Sequence, residues 1–427
     1  MTLWSGDFVN RDFWVGRVRN DIKEVLRRRF HVGVKRRTAW RAAVLVAVAA
    51  TATGVLAGLA SGDSGPSSAA APRAADPAAL GRHATWTTIF TATSGIEGLT
   101  GDNRGNVYVA ERGAGSDPCP VLRIATATRA ATQVGIVPGP CAPSGLAFGP
   151  DGRLYVTGGN APANDTIFAL RPGAASTTAT VFATGVPAAN GLAFDRRGTL
   201  WASDGGNAEG IVYRISPSGG AGVEAFRIPA MANAIGVGRQ NGSLQGVTPN
   251  TPAVQNIVAN GIVVTRDGNL VVADTGRGAL WDVRLDSKGR VASPVGCDET
   301  FTADTLCLDA VRVEHPALEG ADGIALDAAG RIWVDANERN TIAVVDQRGG
   351  VTEFFRNPVD PTTSRRNDGP LEFPTSPVFL GRQLCTTSSD GARRDNFPNT
   401  GGEVTGNGKI SCLDQRLDVP GVPLPVR

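Results

Sequence analysis

Histidine is nearly absent, with three residues in 427 (His31, His83 and His315), and only two of them lie beyond the first eighty positions. Together with the lack of any paired Cys/His nucleophile, this leaves little room for imidazole-based catalysis. There is no C-x-x-C pair, no G-x-S-x-G elbow and no phosphate-binding loop, which removes a zinc ribbon, an α/β-hydrolase and a P-loop enzyme. Sustained helical periodicity is missing downstream of residue 80, which speaks against helical and α/β folds. Charge is also close to balance, at +2. Residues 1–41 carry eleven Lys and Arg against four Asp and Glu, or +7, which leaves −5 for the remainder. A mildly acidic body gives no reason to expect nucleic acid as a partner.

What is present is a repeated unit. Asn260 opens N-G-I-V-V-T-R-D-G-N-L-V-V-A-D: a polar residue and Gly, a short apolar run, a tight turn, a second apolar run. Glu97, Ser144, Asn190 and Asp322 open matching stretches, and Ser376 opens a shortened one. Each is a hairpin whose turn Gly supplies a positive φ. The six copies are spaced 46 to 70 residues apart. Two further strand-like runs follow most hairpins, for example Thr166–Leu170 with Val181–Thr184, and Ile211–Ile215 with Glu224–Arg227. Six repeats of four antiparallel strands make an all-β, six-bladed β-propeller over residues 86–427. The last repeat runs short of strands, whereas Trp86–Ala92 looks like the outer strand of a blade. The N-terminal strand is therefore expected to complete the last blade and close the ring. The polar connection 356–375 is long enough to suggest a functional loop.

Residues 1–85 read as targeting rather than fold. A basic segment, 1–41, precedes the uncharged run 42–60, and a Ser/Ala/Pro-rich linker, 61–85, follows. The run is just long enough to span a bilayer, but its Ala/Val content is weakly hydrophobic and favours a cleaved secretory signal over an anchor. The basic segment is longer than a secretory n-region. Either translation starts nearer Val32 or Val34, or residues 1–38 are a cytoplasmic segment before an anchor. Arg36-Arg37 only weakly fits a twin-arginine signal. The expected location is extracellular or in the cell envelope, with membrane contact only through such an anchor. The six cysteines all lie beyond this region and agree with export as disulfides. Six cysteines allow fifteen connectivities. Cys385 and Cys412 fall on neighbouring strands of the last repeat, so sequential pairing is expected: 119–141, 297–307 and 385–412.

In a propeller the six opening residues, Glu97, Ser144, Asn190, Asn260, Asp322 and Ser376, converge on one end of the central channel. The two carboxylates and two carboxamides among them are the oxygen donors that a hard divalent cation such as Ca2+ takes. None is a His or Cys, which argues against zinc or copper. The plainer reading is that Asn, Asp and Ser before Gly are ordinary turn residues.

With these motifs in view, the chain resembles the SMP-30/gluconolactonase/LRE family. E-G-L, N-G-L-A-F-D, N-G-I-V-V and above all D-G-I-A-L-D-A-A-G-R-I-W-V carry the likeness, over about residues 86–420. The resemblance implies a six-bladed propeller holding a divalent metal, usually calcium, through Glu97, Asn190, Asn260 and Asp322. It also implies that the metal-bound Asp322 is the catalytic acid/base. Sugar lactonases of the family place an Arg two residues before the first metal Asn; here that residue is Ala188, which turns the expectation toward a more apolar lactone or ester. His315, in the loop entering the Asp322 strand, is read as a surface or structural residue. Glu111, Asp204, Asp274 and Asp335, near the ends of second strands, are read as turn or inter-blade hydrogen-bonding groups, and Trp201 and Trp333 as packing between blades.

The expected function is an exported calcium-dependent hydrolase of a lactone or related ester, acting on a small molecule. The cation would act as Lewis acid on the carbonyl oxygen, and Asp322 would activate water or attack directly. A carboxylate touching a divalent ion is a weak base, so a second group must help. The alternative is a non-catalytic, metal-stabilised propeller that binds a carbohydrate or protein. A lyase of the strictosidine-synthase-like class is disfavoured, because it leaves the four oxygen ligands unexplained.

Overall fold

The computed structural model describes residue 81 and residues 83–159, 165–173, 175–205, 210–229, 257–297, 303–357, 370–389 and 407–424. All lie in the compact unit 70–427. The basic segment, the uncharged run and most of the linker fall outside the described residues, as does most of the 356–375 connection. Among the described residues, no helix is long and apolar enough to cross a membrane.

Six sheets follow one another in chain order. From the innermost strand outward, blade 1 is Thr100–Gly101, Asn106–Ala110, Cys119–Ala125 and Ala131–Val137, and blade 2 is Leu146–Phe148, Leu154–Thr157, Ile167–Leu170 and Thr180–Thr184. Blade 3 is Ala189–Phe194, Leu200–Asp204, Gly210–Ile215 and Val223–Ile228, and blade 4 is Ile262–Val264, Leu270–Asp274, Ala279–Val283 and Val311–Glu314. Blade 5 is Ala321–Leu326, Ile332–Ala336, Thr341–Val345 and Val351–Arg356. Blade 6 takes three strands from the C-terminal end, Pro374–Leu380, Gln383–Ser388 and Lys409–Leu413, and its outer strand, Trp86–Thr91, from the other end of the propeller. Register runs from Trp86 opposite Leu413 to Thr91 opposite Lys409, so the expected closure is present. Short parallel pairs add a fifth strand to two blades: Thr177–Thr178 joins blade 1, and Gly220–Ala221 joins blade 2. Each comes from the following blade, so the rim is stitched as well as packed.

The hairpins form for a local reason. Asp102, Asp195 and Asp327 each accept, through Oδ1, the backbone N–H groups two and four residues on. The Gly at the turn takes the left-handed region that a Cβ resists, as in Gly198 (φ 80) and Gly330 (φ 77). The other carboxylate oxygen receives a donor from the second strand: Tyr108 on Asp102, Trp201 on Asp195 and Trp333 on Asp327. One Asp thus fixes the turn and supplies the polar partner that a buried aromatic needs. Burial, and then the charge of Asp102, push the Tyr108 hydroxyl up to about 12.

The core is not one mass but six apolar clusters, one at each junction between consecutive blades. Trp201 packs against Val264, Val272 and Trp281 of blade 4, and Trp333 against Phe379 and Leu384 of blade 6, the inter-blade role expected of both. Burying a side chain of this size stabilises by about 2–3 kcal/mol, so each junction contributes to holding the ring. The three disulfides pair as expected, and Cys385 stands directly opposite Cys412 in blade 6.

Candidate metal centre

The six opening residues stand where innermost strands crowd the channel axis. The glycines that follow them show how close that approach is. A Cβ built on Gly98 would lie 1.8 Å from the Ser144 carbonyl oxygen, and one on Gly145 1.9 Å from that of Asn190. On Gly191 it would meet the Asn260 oxygen at 2.5 Å, on Gly261 that of Asp322 at 2.4 Å, and on Gly323 that of Thr375 at 2.3 Å. None of these five glycines has a positive φ. They are not turn residues, as the plainer reading of Asn-Gly and Asp-Gly would have them; they are glycine because the next blade's backbone occupies the place of a side chain.

Hydroxyls near the ends of second strands staple the ring. Thr157 Oγ1 accepts from the backbone N–H groups of Ser144 (2.9 Å) and Gly145 (3.1 Å). Ser203 Oγ accepts from Gly191 N–H (2.8 Å) and donates to the Asn260 carbonyl. Thr275 donates to the Ala321 carbonyl (2.6 Å). At the closing junction, Thr375 (2.8 Å) and Thr387 both donate to the Glu97 carbonyl. Most of these bonds run from one blade to the next, so the ring positions are fixed by tertiary contacts.

Three opening residues share a second rule. The residue fifteen positions on bonds each side chain: Arg112 Nη2 donates to Glu97 Oε2 (2.5 Å), Asn260 Nδ2 to Thr275 Oγ1 (3.0 Å), and Asn337 Nδ2 to Asp322 Oδ2 (2.7 Å). The fourth, Asn190, has Gly205 at that phase, and its carboxamide has no partner among the described residues although the residue is buried. Asn190 and Asn260 line one polar cavity of about 70 Å³ with Ser144 and the ring glycines. Ser144 Oγ reaches out of that lining to Glu97 Oε2 (3.0 Å). Below the ring, Leu99, Leu146, Leu192, Ile262 and Ile324 divide the polar cavity from an apolar one of about 110 Å³, against which the C-terminal segment lays Val422 and Leu424.

The electrostatics tie the remaining members together. Asp322 is buried, and its carboxyl is pushed well above the ordinary carboxylate range by that burial and by the negative charge of Glu97; Asp335 adds to the effect, while Asn337 and Asn260 oppose it through hydrogen bonds. Asp335 is pushed up in the same direction by burial, with only the Thr386 hydroxyl, on the next blade, opposing it.

Residues 231–387 match the family described as the SMP-30/Gluconolactonase/LRE-like region. The chain carries an SMP-30/gluconolactonase/LRE-like region. Asn260 and Asp322 lie inside the matched residues; Glu97 and Asn190 lie before them. A luciferin-regenerating enzyme of solved structure superposes with TM-score 0.51 at 15% identity, covering 79% of this chain and 97% of its own. A protein assigned as a gluconolactonase superposes with TM-score 0.50 at 16% identity, covering 82% and 99%. At such identities the likeness is one of fold. No curated protein matches the chain.

The residues of the ring fit a hard divalent cation. All four side-chain donors are oxygens, Asn190 offers a carboxamide that no group among the described residues uses, and a cation held by Glu97 and Asp322 would remove the repulsion that opposes their charge. The other expectations resolve simply. His315 is exposed and caps the turn Pro316–Leu318, accepting from Ala317 N–H (3.1 Å). Glu111 clasps Thr93 (2.7 and 3.0 Å), and Asp274 pairs with Arg277 (2.7 Å) and Trp281, the structural roles expected of them. Ala188 sits two residues before Asn190 with φ 45. Sequence reasoning missed Arg112, Thr275 and Asn337. Their common phase was readable, but Arg, Thr and Asn share no side-chain type that would make the phase visible.

Proposed function

We propose that this chain is an exported, divalent-cation-dependent hydrolase of a lactone or related ester, with Glu97, Asn190, Asn260 and Asp322 as ligands and calcium as the ion. The observation that carries the reading is the burial of Asp322 within the field of Glu97 and in hydrogen-bond reach of Asn260, at the head of a ring that also holds Asn190, whose carboxamide has no partner among the described residues. Four oxygen donors and no imidazole select calcium over zinc. Three disulfides support an oxidising, exported setting.

When bound, the ion supplies a Lewis acid for the scissile carbonyl oxygen. The chain's own residues do the rest. Asn337 holds Asp322 Oδ2 at 2.7 Å, which fixes the plane of the carboxylate that is to take a proton from the attacking water. Ser144 holds Glu97 Oε2 at 3.0 Å from the neighbouring blade, and Arg112 bonds the same oxygen at 2.5 Å. The apolar floor of Leu99, Leu146, Leu192, Ile262 and Ile324 keeps water from entering the ring from below.

The test is a panel of lactones and aryl esters assayed with calcium and with chelator, for the wild type and Asp322→Asn. Hydrolysis should require calcium and fall by about a hundredfold or more in the variant, the usual size of a lost general base. A wild-type protein that binds calcium yet hydrolyses nothing on the panel would instead support the non-catalytic propeller that presents a carbohydrate- or protein-binding face.

A further inference from the structure

Among the described residues, Arg112 is the only cationic side chain bonded to a ring residue. It stands at the end of the second strand of blade 1, at the phase where blades 4 and 5 place the neutral Thr275 and Asn337. Its backbone is pinned on both sides: its N–H donates to the Gly95 carbonyl (2.9 Å), and Ser94 Oγ donates to its own carbonyl (2.9 Å). The side chain crosses Gly95, whose absent Cβ would lie 3.4 Å from Arg112 Cδ. Only Nη2 is used, on Glu97 Oε2; Nε and Nη1 bond no protein group among the described residues. The side chain is 41% exposed while its Glu97 partner is 11% exposed, so the guanidinium reaches from the buried ring into solvent.

A guanidinium tied at one corner by a buried carboxylate is held in orientation, and the edge that carries its second Nη2 N–H remains as a planar fork that matches a carboxylate in two parallel bonds. A structural ion pair at a surface would not need to stand on a ring residue, and one exposed pair adds little stability.

Resting on the cation reading above, we infer that Arg112 is the residue that selects the substrate, and that the substrate is a lactone or ester carrying a carboxylate beside the scissile group. Arg112 binds that carboxylate through its free edge, the second Nη2 N–H together with the N–H that runs parallel to it, and the scissile carbonyl is thereby set over the ring. Because Glu97 Oε2 is shared between Arg112 and the ligand set, removing the guanidinium frees an oxygen for the cation and does not weaken cation binding.

The probes are glutaramate, with one carboxylate and one amide, and its neutral counterpart glutaramide, titrated by ligand-observed NMR into the full-length protein with calcium and again with chelator. Calcium binding is measured in parallel by calorimetry, and folding by circular dichroism. The wild type should bind glutaramate at least tenfold more tightly than glutaramide, the scale of a paired charge-assisted contact. Arg112→Gln should erase that preference with calcium affinity retained or raised, and Arg112→Lys should keep part of it. Two results overturn the inference: a wild type that takes both probes equally, or an Arg112→Gln protein that still discriminates. The calcium arm reads the other claim separately. If no calcium binds but Arg112→Gln still erases the preference in chelator, the cation reading fails and the role of Arg112 stands.

Discussion

Two glycines seven residues apart in blade 2 should respond to the same substitution in different ways. Gly145 has an ordinary φ, but a Cβ there would lie 1.9 Å from the Asn190 carbonyl oxygen and 3.2 Å from Leu192 Cγ. Gly152 has φ 74 and nothing within 4 Å of its Cβ position. A carbon and a carbonyl oxygen need roughly 3.2 Å or more, so Gly145→Ala must part blades 2 and 3 at the axis by about 1 Å, against close packing. We expect a cost of at least about 3 kcal/mol, the upper end of overpacking. Gly152→Ala meets only the left-handed penalty of about 1–2 kcal/mol, partly offset by a stiffer unfolded chain. Guanidinium melts of both variants read the difference directly. In thermal melts it corresponds to about 5 °C or more against about 2 °C. Because Asn190 is the residue displaced, Gly145→Ala should also weaken calcium binding more than tenfold, while Gly152→Ala leaves it unchanged. A Gly145→Ala protein as stable as the wild type would refute the close-approach argument and with it the geometry of the ring.

The Asp322 carboxyl is raised in the folded protein, so folding takes up a proton there; that stability is fully present below the ordinary carboxylate pKa and is lost as pH rises through the raised folded value. In chelator, melting temperature should therefore fall as pH rises above the ordinary carboxylate range, Asp322→Asn should flatten the slope and be the more stable protein at neutral pH, and calcium should reverse that order. The Cys385–Cys412 disulfide closes 27 residues across the blade that shuts the ring, so its removal by paired Ala substitution should cost about 3.5 kcal/mol in denaturant melts; no loss would mean that blade 6 is held by its strand pairing alone.

The fold was largely legible because each hairpin carries its own instructions. The Asp-and-Gly turns and the alternating apolar runs of blades 1, 2, 3 and 5 are local signals, and their repetition gives the number of blades. The opening residues were legible for the same reason, since one phase of a repeat maps to one radius of the ring. What the local pattern hides is contact between blades. The glycines at 98, 145, 191, 261 and 323 look like turn residues because Asn-Gly and Asp-Gly usually are, and only the neighbouring carbonyl shows otherwise. Arg112, Thr275 and Asn337 play one role with three chemistries, so no composition signal marks them. Asp335 was read as a structural residue, and it does bond Thr386 on the next blade, but its influence on Asp322 depends on the strand pairing.

The central claim is that Glu97, Asn190, Asn260 and Asp322 grip one cation. Calcium titration calorimetry on the chelator-stripped protein addresses it most directly, with Asp322→Asn and Asn190→Ala in parallel. The account predicts one site per chain in the wild type, none measurable in Asp322→Asn, and affinity reduced at least tenfold in Asn190→Ala. Calcium binding that ignores both substitutions, or a folded wild type that takes up no divalent ion, would contradict it.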